Sequence, residues 1–204
     1  MNKKPELDDV ERVVRDLVVP FYEIKRSMIV PIGNRRNEND AEHSWSVSFL
    51  ACALAPQIDS SLDFGKIAQF AIVHDLTEVY AGDVSVWDAK EKLSNKEDKE
   101  AQSLNTIASR YPQFPWISKT IKAYETKETK EAKFVYAVDK LIALIMRHLD
   151  KGKMYVEKGL TKEKFDAGLV NHRKKAHTDP VIGEYYDQLR LIFDKHPEYF
   201  YQEK

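Results

Sequence analysis

The sequence predicts an all-α fold, because signals of β-structure are few and helical signals recur along most of the chain. Only 7 of the 204 residues are glycine, and segments that alternate apolar and polar residues are nearly absent. Apolar residues instead recur at spacings of three and four, which is the period of a helix with one buried face. The predicted helices span residues 7–25, 40–56, 64–81, 94–110, 115–126, 130–151, 162–176 and 180–195.

Two of these helices have recognisable start signals. Ser94, followed three residues later by Glu97, has the spacing of a capping box. Asp179 before Pro180 is typical of an N-cap with proline in the first helical turn. The segment 27–40, SMIVPIGNRRNEND, contains proline, glycine and two adjacent arginines, so we predict a loop that leads into the second helix.

Length and composition bound the class of protein. A chain of 204 residues with 43% hydrophobic and 32% charged residues is expected to form one globular domain over 1–204. The formal net charge of −1 provides no global field to attract a nucleic acid polymer or an anionic membrane. No run of 18 apolar residues occurs, and the N-terminal segment carries acids where a secretory signal needs an apolar core. We therefore predict a cytoplasmic protein whose partners include neither nucleic acid polymers nor membranes.

Ionisable residues interrupt the apolar faces of three predicted helices. Asp139 is the only charge on the apolar stripe of its helix, and His43 heads the stripe of another. In a third helix His74 and Glu78 interrupt the stripe, and Asp75 lies beside it. An isolated carboxylate is costly to bury, so such groups are paired, protonated or bound to a metal. The repetition on three helices predicts one shared site.

The chemistry of these side chains predicts a cation site. Two imidazoles and two carboxylates form a mixed nitrogen and oxygen ligand set, which suits one divalent ion of Mn, Co, Fe, Ni or Zn, with Mg a further candidate. A His-Asp dipeptide alone carries no weight, since one is expected by chance in about every second chain of this composition. A single buried histidine is also more often hydrogen-bonded within a core than bound to a metal. The prediction therefore depends on the three helices sharing the anomaly.

Three segments resemble the motifs of the HD-domain phosphohydrolases, in which one His, a His-Asp pair and a distant Asp ligate a single metal. These segments are RRNENDAEHSW (35–45), HDLTEVYAGD (74–83) and EAKFVYAVDKL (131–141). The wider resemblance, over about 20–170, is to the branch that contains the bacterial 5′-deoxynucleotidases and their eukaryotic relatives. It implies a helical, metal-dependent phosphohydrolase in which residues from about 171 to 204 form a helical C-terminal extension.

The resemblance implies roles for individual residues. It implies that the metal ligands are His43, His74, Asp75 and Asp139. It also implies that Glu78 and Asp83 are catalytic carboxylates near the scissile phosphate and the sugar. Helical geometry independently supports Glu78, which lies one turn after the His-Asp pair. The two-metal branches place further histidine ligands after this pair, whereas no histidine occurs here between Asp75 and His148, which favours a single metal ion.

The chain departs from the deoxynucleotidase branch upstream of the first motif. That branch carries an Arg-Trp pair that holds the phosphate and crowds out the ribose 2′-hydroxyl, whereas an ungapped alignment places Met28 and Ile29 there. Selectivity for deoxyribose is therefore not predicted. Arg26 is one arginine that can supply the phosphate contact from a shifted position. The candidate phosphate-binding residues are Arg35, Arg36, Lys133 and Lys140.

Three hypotheses about function follow. The leading one is a phosphoric monoester hydrolase that converts nucleoside 5′-monophosphates, ribo or deoxy, to nucleoside and phosphate, with a small nucleotide as its partner. The second is a (deoxy)nucleoside triphosphate triphosphohydrolase. The third is a non-catalytic module that binds a metal and a nucleotide. Glu78 and Asp83 argue against the third, because carboxylates that are not ligands have little use beside a metal that serves only stability.

The C-terminal segment HPEYFYQEK is rich in aromatic residues. Such a segment packs either on its own core or on a second subunit, and the sequence does not decide between them. We expect a homodimer.

Overall fold

The structure is a computed structural model that describes residues 4–33, 35–82 and 96–203, and these residues are mainly helical, as predicted. The helices are α1 Leu7–Val13, α2 Val19–Glu23, α3 Asp40–Ile58, α4 Phe64–Val73, α5 Glu78–Ala81, α6 Lys96–Arg110, α7 Pro115–Glu125, α8 Lys130–Leu149, α9 Lys153–Glu157, α10 Lys162–Ala176 and α11 Pro180–Asp194. The other elements are strands β1 Lys25–Val30 and β2 Arg36–Asn39, a π-helical segment Val14–Val18 and a 3₁₀ turn Pro197–Tyr199. Among the helices of these ranges, none combines the length and the apolar composition that a membrane span requires.

Helix α8 lies at the centre of the fold and packs against α3, α4, α10 and α11. Its N-terminus is capped by Thr129, whose side chain accepts a hydrogen bond from the backbone N–H of Ala132. The predicted apolar stripe is buried in the main core, with Val135 and Ile142 on either side of Asp139. The helix therefore holds one carboxylate, 5% exposed, in the middle of the core.

The predicted helix over 64–81 is interrupted, which corrects the expectation of one continuous element. Helix α4 ends at Val73, and a series of turns precedes α5. Backbone hydrogen bonds across the interruption have three-residue spacing, because Leu76 N lies 3.0 Å from Val73 O and Glu78 N lies 2.8 Å from Asp75 O. Bonds of this spacing tighten a helix and rotate its side chains. The side chains of His74 and Asp75 are therefore rotated relative to those of a continuous helix along the axis of α4.

The segment 27–40, predicted as a loop, contains an antiparallel strand pair instead. Lys25 pairs with Asn39 and Ile29 with Asn37, so the register shifts between the two pairs. The prediction was wrong because the proline and glycine between the strands dominated the local pattern. The β-branched residues at the end of β1, which favour pairing in a sheet, were too few to outweigh those turn signals.

The first predicted helix, 7–25, also differs from a regular α-helix. It passes through the π-helical segment Val14–Val18 and ends at Glu23. Pro20 lies in the first turn of α2 and has no N–H to donate, so the regular bonding pattern changes there.

The remaining predicted helices agree with the structure to within two residues at each end. The N-cap of α11 is confirmed, because the Asp179 side chain accepts a hydrogen bond from Ile182 N at 3.0 Å. Ser94 of the predicted capping box lies outside the described residues. The short helix α9 was not predicted.

The aromatic C-terminal residues pack on the chain's own core. Tyr199 and Phe200 are buried. The Phe200 ring stacks on Tyr155 with ring centroids 5.7 Å apart, and its centroid lies 5.0 Å from that of Phe165. Of the two alternatives left open for this segment, the structure supports packing within one chain.

A buried histidine on α10 makes the free energy of unfolding depend on pH. His172 Nδ1 lies 2.9 Å from the Tyr186 hydroxyl oxygen. Burial, together with the charges of Lys140 and Arg147, lowers the pKa of His172 to about 2. The imidazole is therefore neutral in the folded protein, and it gains a proton on unfolding at any pH below its ordinary pKa of 6.5.

We expect His172→Asn to flatten the acid dependence of the free energy of unfolding. Because the unfolded chain binds one more proton, this histidine costs the wild type about 1.4 kcal/mol of stability per pH unit as the pH falls below 6.5. Urea unfolding of the metal-free protein between pH 4.5 and 7.5 measures the slope. The control His196→Gln removes a half-buried imidazole that pairs with Glu198, and it should change the slope less than His172→Asn does. Equal slopes for wild type and His172→Asn would contradict the prediction.

Candidate active site

The interruption after α4 places the His-Asp pair beside α3 and α8. His43 Nε2 lies 3.0 Å from Asp139 Oδ1 and 3.8 Å from Asp75 Oδ2, and His74 Nε2 lies 3.2 Å from the same Asp75 oxygen. Ligand atoms of the two histidines and Asp75 all lie within 4.8 Å of one another. The structure thus brings together the four residues predicted as metal ligands, which we call the His-Asp cluster.

The ring of His74 is oriented by the last turn of α4. Its Nδ1 lies 2.9 Å from the carbonyl oxygen of Ala71, which can only accept a hydrogen bond, so Nδ1 carries the proton. In a neutral imidazole the lone pair is then on Nε2. This Nε2 atom is buried and faces Asp75 Oδ2 at 3.2 Å, and it accepts no hydrogen bond from any described residue. An unpartnered buried lone pair of this kind fits a metal ligand.

The ring of His43 lies between two carboxylates. Its Nδ1 is 3.3 Å from Glu38 Oε2, on the opposite side of the ring from Asp139. Burial and the nearby Arg26 lower the pKa of His43, but these two carboxylates outweigh them and raise it to about 9. A carboxylate on the far nitrogen of a ligating histidine fixes its tautomer and orientation. Glu38 therefore has the position of such an orienting group.

The two aspartates of the cluster are ionised. Burial alone would raise the pKa of Asp75, but its contacts with His74 and Arg26 hold that pKa well below the usual range. The pKa of Asp139 is also held low, against burial, by the adjacent Lys140. Two carboxylates and two imidazole nitrogens around one point form the mixed donor set that divalent transition metals prefer. The residues present therefore fit a cation.

Arg26 lies against a second group of acids, the carboxylate cluster of Asp40, Asp75 and Glu78. Its Nη1 is 2.8 Å from Asp40 Oδ1, 2.7 Å from Asp75 Oδ2 and 3.6 Å from Glu78 Oε2. Asp40 is fully buried, and Glu78 is 4% exposed. Burial, only partly offset by Arg26, raises the pKa of Asp40 to about 6. One guanidinium thus compensates three carboxylates, of which Asp75 also belongs to the His-Asp cluster.

A cavity of ≈ 500 Å³ adjoins the His-Asp cluster, and such a volume suits a small-molecule ligand. Its wall contains His74, Asp75 and Asp139. Aromatic and basic side chains form much of the remainder. These are Tyr124, Tyr136, Lys127, Lys140 and Lys175.

One of the predicted phosphate-binding residues lies on this wall. Lys140 forms an ion pair with Asp139 Oδ2 and lines the cavity. Arg35 instead pairs with Asp150, with Nε 2.8 Å from Oδ1, and also contacts Glu157. Asp150 follows Asp139 by about three helical turns, a rise of about 16 Å. The structure therefore does not bring Arg35 to the cluster.

The other predicted site residues have different surroundings. Arg36 pairs with Glu42 on the surface, with Nη1 2.8 Å from Oε2. Lys133 is exposed on α8. Glu78 lies in the carboxylate cluster, beside the predicted ligand Asp75. Asp83 lies outside the described residues.

Sequence reasoning missed several groups at the site. Glu38 and Asp40 lie in and next to the strand pair that was predicted as a loop, so no periodicity marked them. Arg26 was considered, but the ungapped alignment did not assign it a position. Lys127 and Lys175 lie 48 residues apart on surface-like segments, and no local signal connects them.

Sequence comparisons find similar proteins that act on nucleotides, according to their names. A family model described as HD domain matches residues 22–179. The human protein named 5′-deoxynucleotidase HDDC2 is 25% identical over 142 residues, which cover 68% of this chain and 67% of the relative. A Salmonella phage PMBT28 protein named dATP triphosphohydrolase is 35% identical over 79 residues, which cover 35% of this chain and 39% of the relative. The chain thus spans about two thirds of the human relative and well under half of the phage relative.

Solved structures share the fold over nearly the whole chain. A crystal structure from Magnetospirillum magnetotacticum MS-1, described as a predicted metal-dependent phosphohydrolase, is 26% identical with a TM-score of 0.78 and covers 99% of this chain and 100% of its own. A conserved hypothetical protein from Pyrococcus furiosus matches with a TM-score of 0.60 at 22% identity, covering 87% of this chain and 99% of its own. The second similarity concerns the fold alone.

Proposed function

The chain belongs to the HD-domain family of metal-dependent phosphohydrolases, and we propose that it hydrolyses nucleoside 5′-monophosphates to nucleoside and orthophosphate. The observation that carries the proposal is the His-Asp cluster on the wall of a cavity that also presents basic side chains. Anionic phosphate requires positive charge beside it, and the reaction requires a cation and a proton acceptor. The name of the human relative, aligned over about two thirds of this chain, supports a 5′-nucleotide as the substrate.

We assign cation binding to His43, His74, Asp75 and Asp139, as the sequence predicted. Supporting geometry is the convergence of their ligand atoms and the unpartnered Nε2 of His74. When bound there, a divalent cation lowers the pKa of water and withdraws charge from the phosphate. Glu38 and Ala71 would keep the two imidazoles in the required tautomers.

Glu78 is proposed as the group that orients or deprotonates the attacking water, or that passes a proton to the leaving oxygen. It is buried next to Asp75, and Arg26 lies close enough to hold its carboxylate in place. For Asp83 the proposal is the one made from the sequence, namely orientation of the substrate or a share in proton transfer. The leaving oxygen is the 5′-oxygen of the nucleoside, which needs a proton as its bond to phosphorus breaks.

Phosphate binding is proposed for Lys140, because it is the predicted phosphate-binding residue that lines the cavity. Its ammonium contacts Asp139 and therefore lies next to the expected position of the cation. Arg26 supplies further positive charge at Asp75, from a position shifted relative to the Arg-Trp pair of the deoxynucleotidases. For Arg35 and Arg36 the observed carboxylate partners favour roles in holding the strand pair to α9 and α3. Cytoplasmic location and a homodimer stay predictions.

A panel of nucleoside mono-, di- and triphosphates, assayed with Mn, Co, Mg and Zn, tests the proposal. Release of orthophosphate from 5′-monophosphates, stimulated by metal and abolished by EDTA, is the expected result. Release of tripolyphosphate from triphosphates alone would favour the triphosphohydrolase hypothesis instead. Failure to hydrolyse any nucleotide with any metal would support the non-catalytic module and overturn the proposal.

A further inference from the structure

Arg147, in the last turn of α8, is a buried arginine without a partner. The residue is 6% exposed, and its Nε and Nη1 atoms are buried without a hydrogen-bond partner. Within the described part of the chain, its guanidinium forms neither an ion pair with a carboxylate nor a cation–π contact with a ring. A buried charge is very costly unless it is paired, so an unpaired one calls for a bound ion or water molecule.

The side chains around this guanidinium are neutral at pH 7. Burial raises the pKa of Tyr155 to about 12 and also raises that of Tyr186, and the charge of Arg147 opposes both rises. Burial lowers the pKa of His172 to about 2, and the charges of Lys140 and Arg147 add to this effect. The helices packed against α8 at this point therefore present two phenols and a neutral imidazole, and none of these three groups supplies a negative charge.

The acids that follow α8 are engaged by another arginine. Arg35 holds Asp150 with two hydrogen bonds, Nε to Oδ1 at 2.8 Å and Nη2 to Oδ2 at 2.9 Å. The backbone N–H of Met154 also donates to Asp150 Oδ2, at 2.9 Å. Glu157 is exposed and contacts the same Arg35. Neither carboxylate provides a direct counter-charge for Arg147.

The acids of α10 and α11 nearest to this region pair with cations at the surface. Asp187 forms an ion pair with Arg173. Asp166 and Asp194 both contact the Lys162 ammonium. These pairs leave the buried guanidinium without a carboxylate from either helix.

The surroundings of Arg147 offer a second hydrogen-bond donor and little space. The hydroxyl oxygen of Tyr155 is also buried without a hydrogen-bond partner, so its O–H can donate to a ligand. The Tyr155 and Phe165 ring centroids are 5.2 Å apart, and those of Phe165 and Phe193 are 5.1 Å apart. Rings packed this closely leave room for an ion not much larger than a water molecule. A weakly hydrated guanidinium suits a small, weakly hydrated anion.

We infer that Arg147 anchors a binding site for one chloride ion beside α8, with the Tyr155 hydroxyl as a second donor. The inference is independent of the proposed function, because neither residue lines the cavity at the His-Asp cluster. The ion supplies the counter-charge that the described side chains do not. A water molecule could accept the same hydrogen bonds, but it would leave the charge unpaired. Chloride therefore binds the folded chain and stabilises it relative to the unfolded chain.

Urea unfolding of the full chain with its cation, in mixtures of sodium chloride and sodium gluconate at one ionic strength, tests the site. Once chloride exceeds its Kd, the equilibrium constant of unfolding should fall about tenfold for each tenfold rise in chloride concentration. Arg147→Met should abolish this dependence. In gluconate alone it should unfold at no lower a urea concentration than the wild type, because an apolar side chain replaces an unpaired buried charge.

Two further variants and a diffraction measurement complete the test. The control Arg173→Met removes a surface arginine of α10 and should keep the chloride dependence of the wild type. Tyr155→Phe keeps the guanidinium and should weaken chloride binding roughly tenfold, which tests the site even if Arg147→Met does not fold. Crystals of the wild type soaked in bromide should show an anomalous peak within hydrogen-bond distance of Arg147 Nη1.

Several results would overturn the inference. A wild type whose stability is the same in chloride and in gluconate would show that water alone completes the site. Equal chloride dependence in Arg147→Met, or bromide peaks only at other residues, would place the anion elsewhere. A larger effect of orthophosphate than of chloride, lost in Arg147→Met, would show that the site takes an oxyanion, and it would overturn the assignment to chloride.

Discussion

Replacing Asp75 by asparagine is expected to remove the bound cation and to lower kcat/KM by about 10³-fold or more, or ~4 kcal/mol of transition-state stabilisation. Asparagine keeps the shape of the side chain but removes its negative charge. Asp75 Oδ2 lies 3.8 Å from His43, 3.2 Å from His74 and 2.7 Å from Arg26. No other carboxylate oxygen described in the His-Asp cluster contacts all three of these side chains. Metal content after dialysis and initial rates of phosphate release measure the two effects.

Two matched variants isolate the effect of Asp75. Glu78→Gln removes a neighbouring carboxylate that is proposed to act on water, so it should keep the cation while losing turnover. Asp166→Asn, on the exposed side of α10, should keep both. An Asp75→Asn protein that binds metal and turns over substrate like the wild type would show that the site has been assigned to the wrong residues.

Replacing Arg26 by methionine is expected to destabilise the protein by about 3–5 kcal/mol, because it leaves buried carboxylates without their counter-charge. Asp40 and Glu78 are almost completely buried, and both lie within reach of the same guanidinium nitrogen as Asp75. Methionine preserves much of the volume of the arginine stem, so packing changes little. Urea unfolding of the metal-free protein at pH 8 gives the free-energy difference.

Further substitutions and a change of pH test whether the lost counter-charge causes this loss of stability. Arg36→Met removes an arginine of β2 that pairs with Glu42 on the surface, and it should leave the free energy of unfolding nearly unchanged. Adding Asp40→Asn to Arg26→Met should recover part of the loss, since one buried charge fewer is then uncompensated. Arg26 lowers the pKa of Asp40, which burial raises to about 6, so this pKa should be higher in the variant. The penalty should therefore shrink as the pH falls from 8 towards 6, where Asp40 gains a proton in the variant before it does in the wild type. A loss of stability that changes neither with the added Asp40→Asn substitution nor with pH would indicate that altered packing is the cause.

The sequence itself predicted six of the helices to within two residues at each end, and it identified the four residues of the His-Asp cluster. Helical period and capping residues are local properties, which is why α10 was predicted with its observed ends and Asp179 was predicted as an N-cap. Charges on apolar faces are also visible locally, because the cost of burying an isolated charge makes each one an anomaly. His43, His74 and Asp139 were therefore predicted without any knowledge of their contacts.

How those residues meet, and what surrounds them, was decided only by the tertiary structure. His43 and Asp139 are 96 residues apart and share a 3.0 Å contact, which depends on how α3 packs against α8 and not on the pattern within either helix. The interruption after Val73 and the strand pair that presents Arg26 and Glu38 oppose the local signals, which favoured a continuous helix and a loop.

The group of Lys127, Lys140 and Lys175, whose ammoniums lie around the Tyr136 ring, is the clearest case of a feature that the sequence could not predict. Each of its members resembles an ordinary surface lysine, since charged residues on helix faces are common and carry no periodic signal. Only the packing of α7, α8 and α10 around Tyr136 places three ammoniums at one cavity. The sequence thus determined which residues are costly to bury. Long-range packing decided which charged side chains line the same cavity and which kind of ligand that cavity suits.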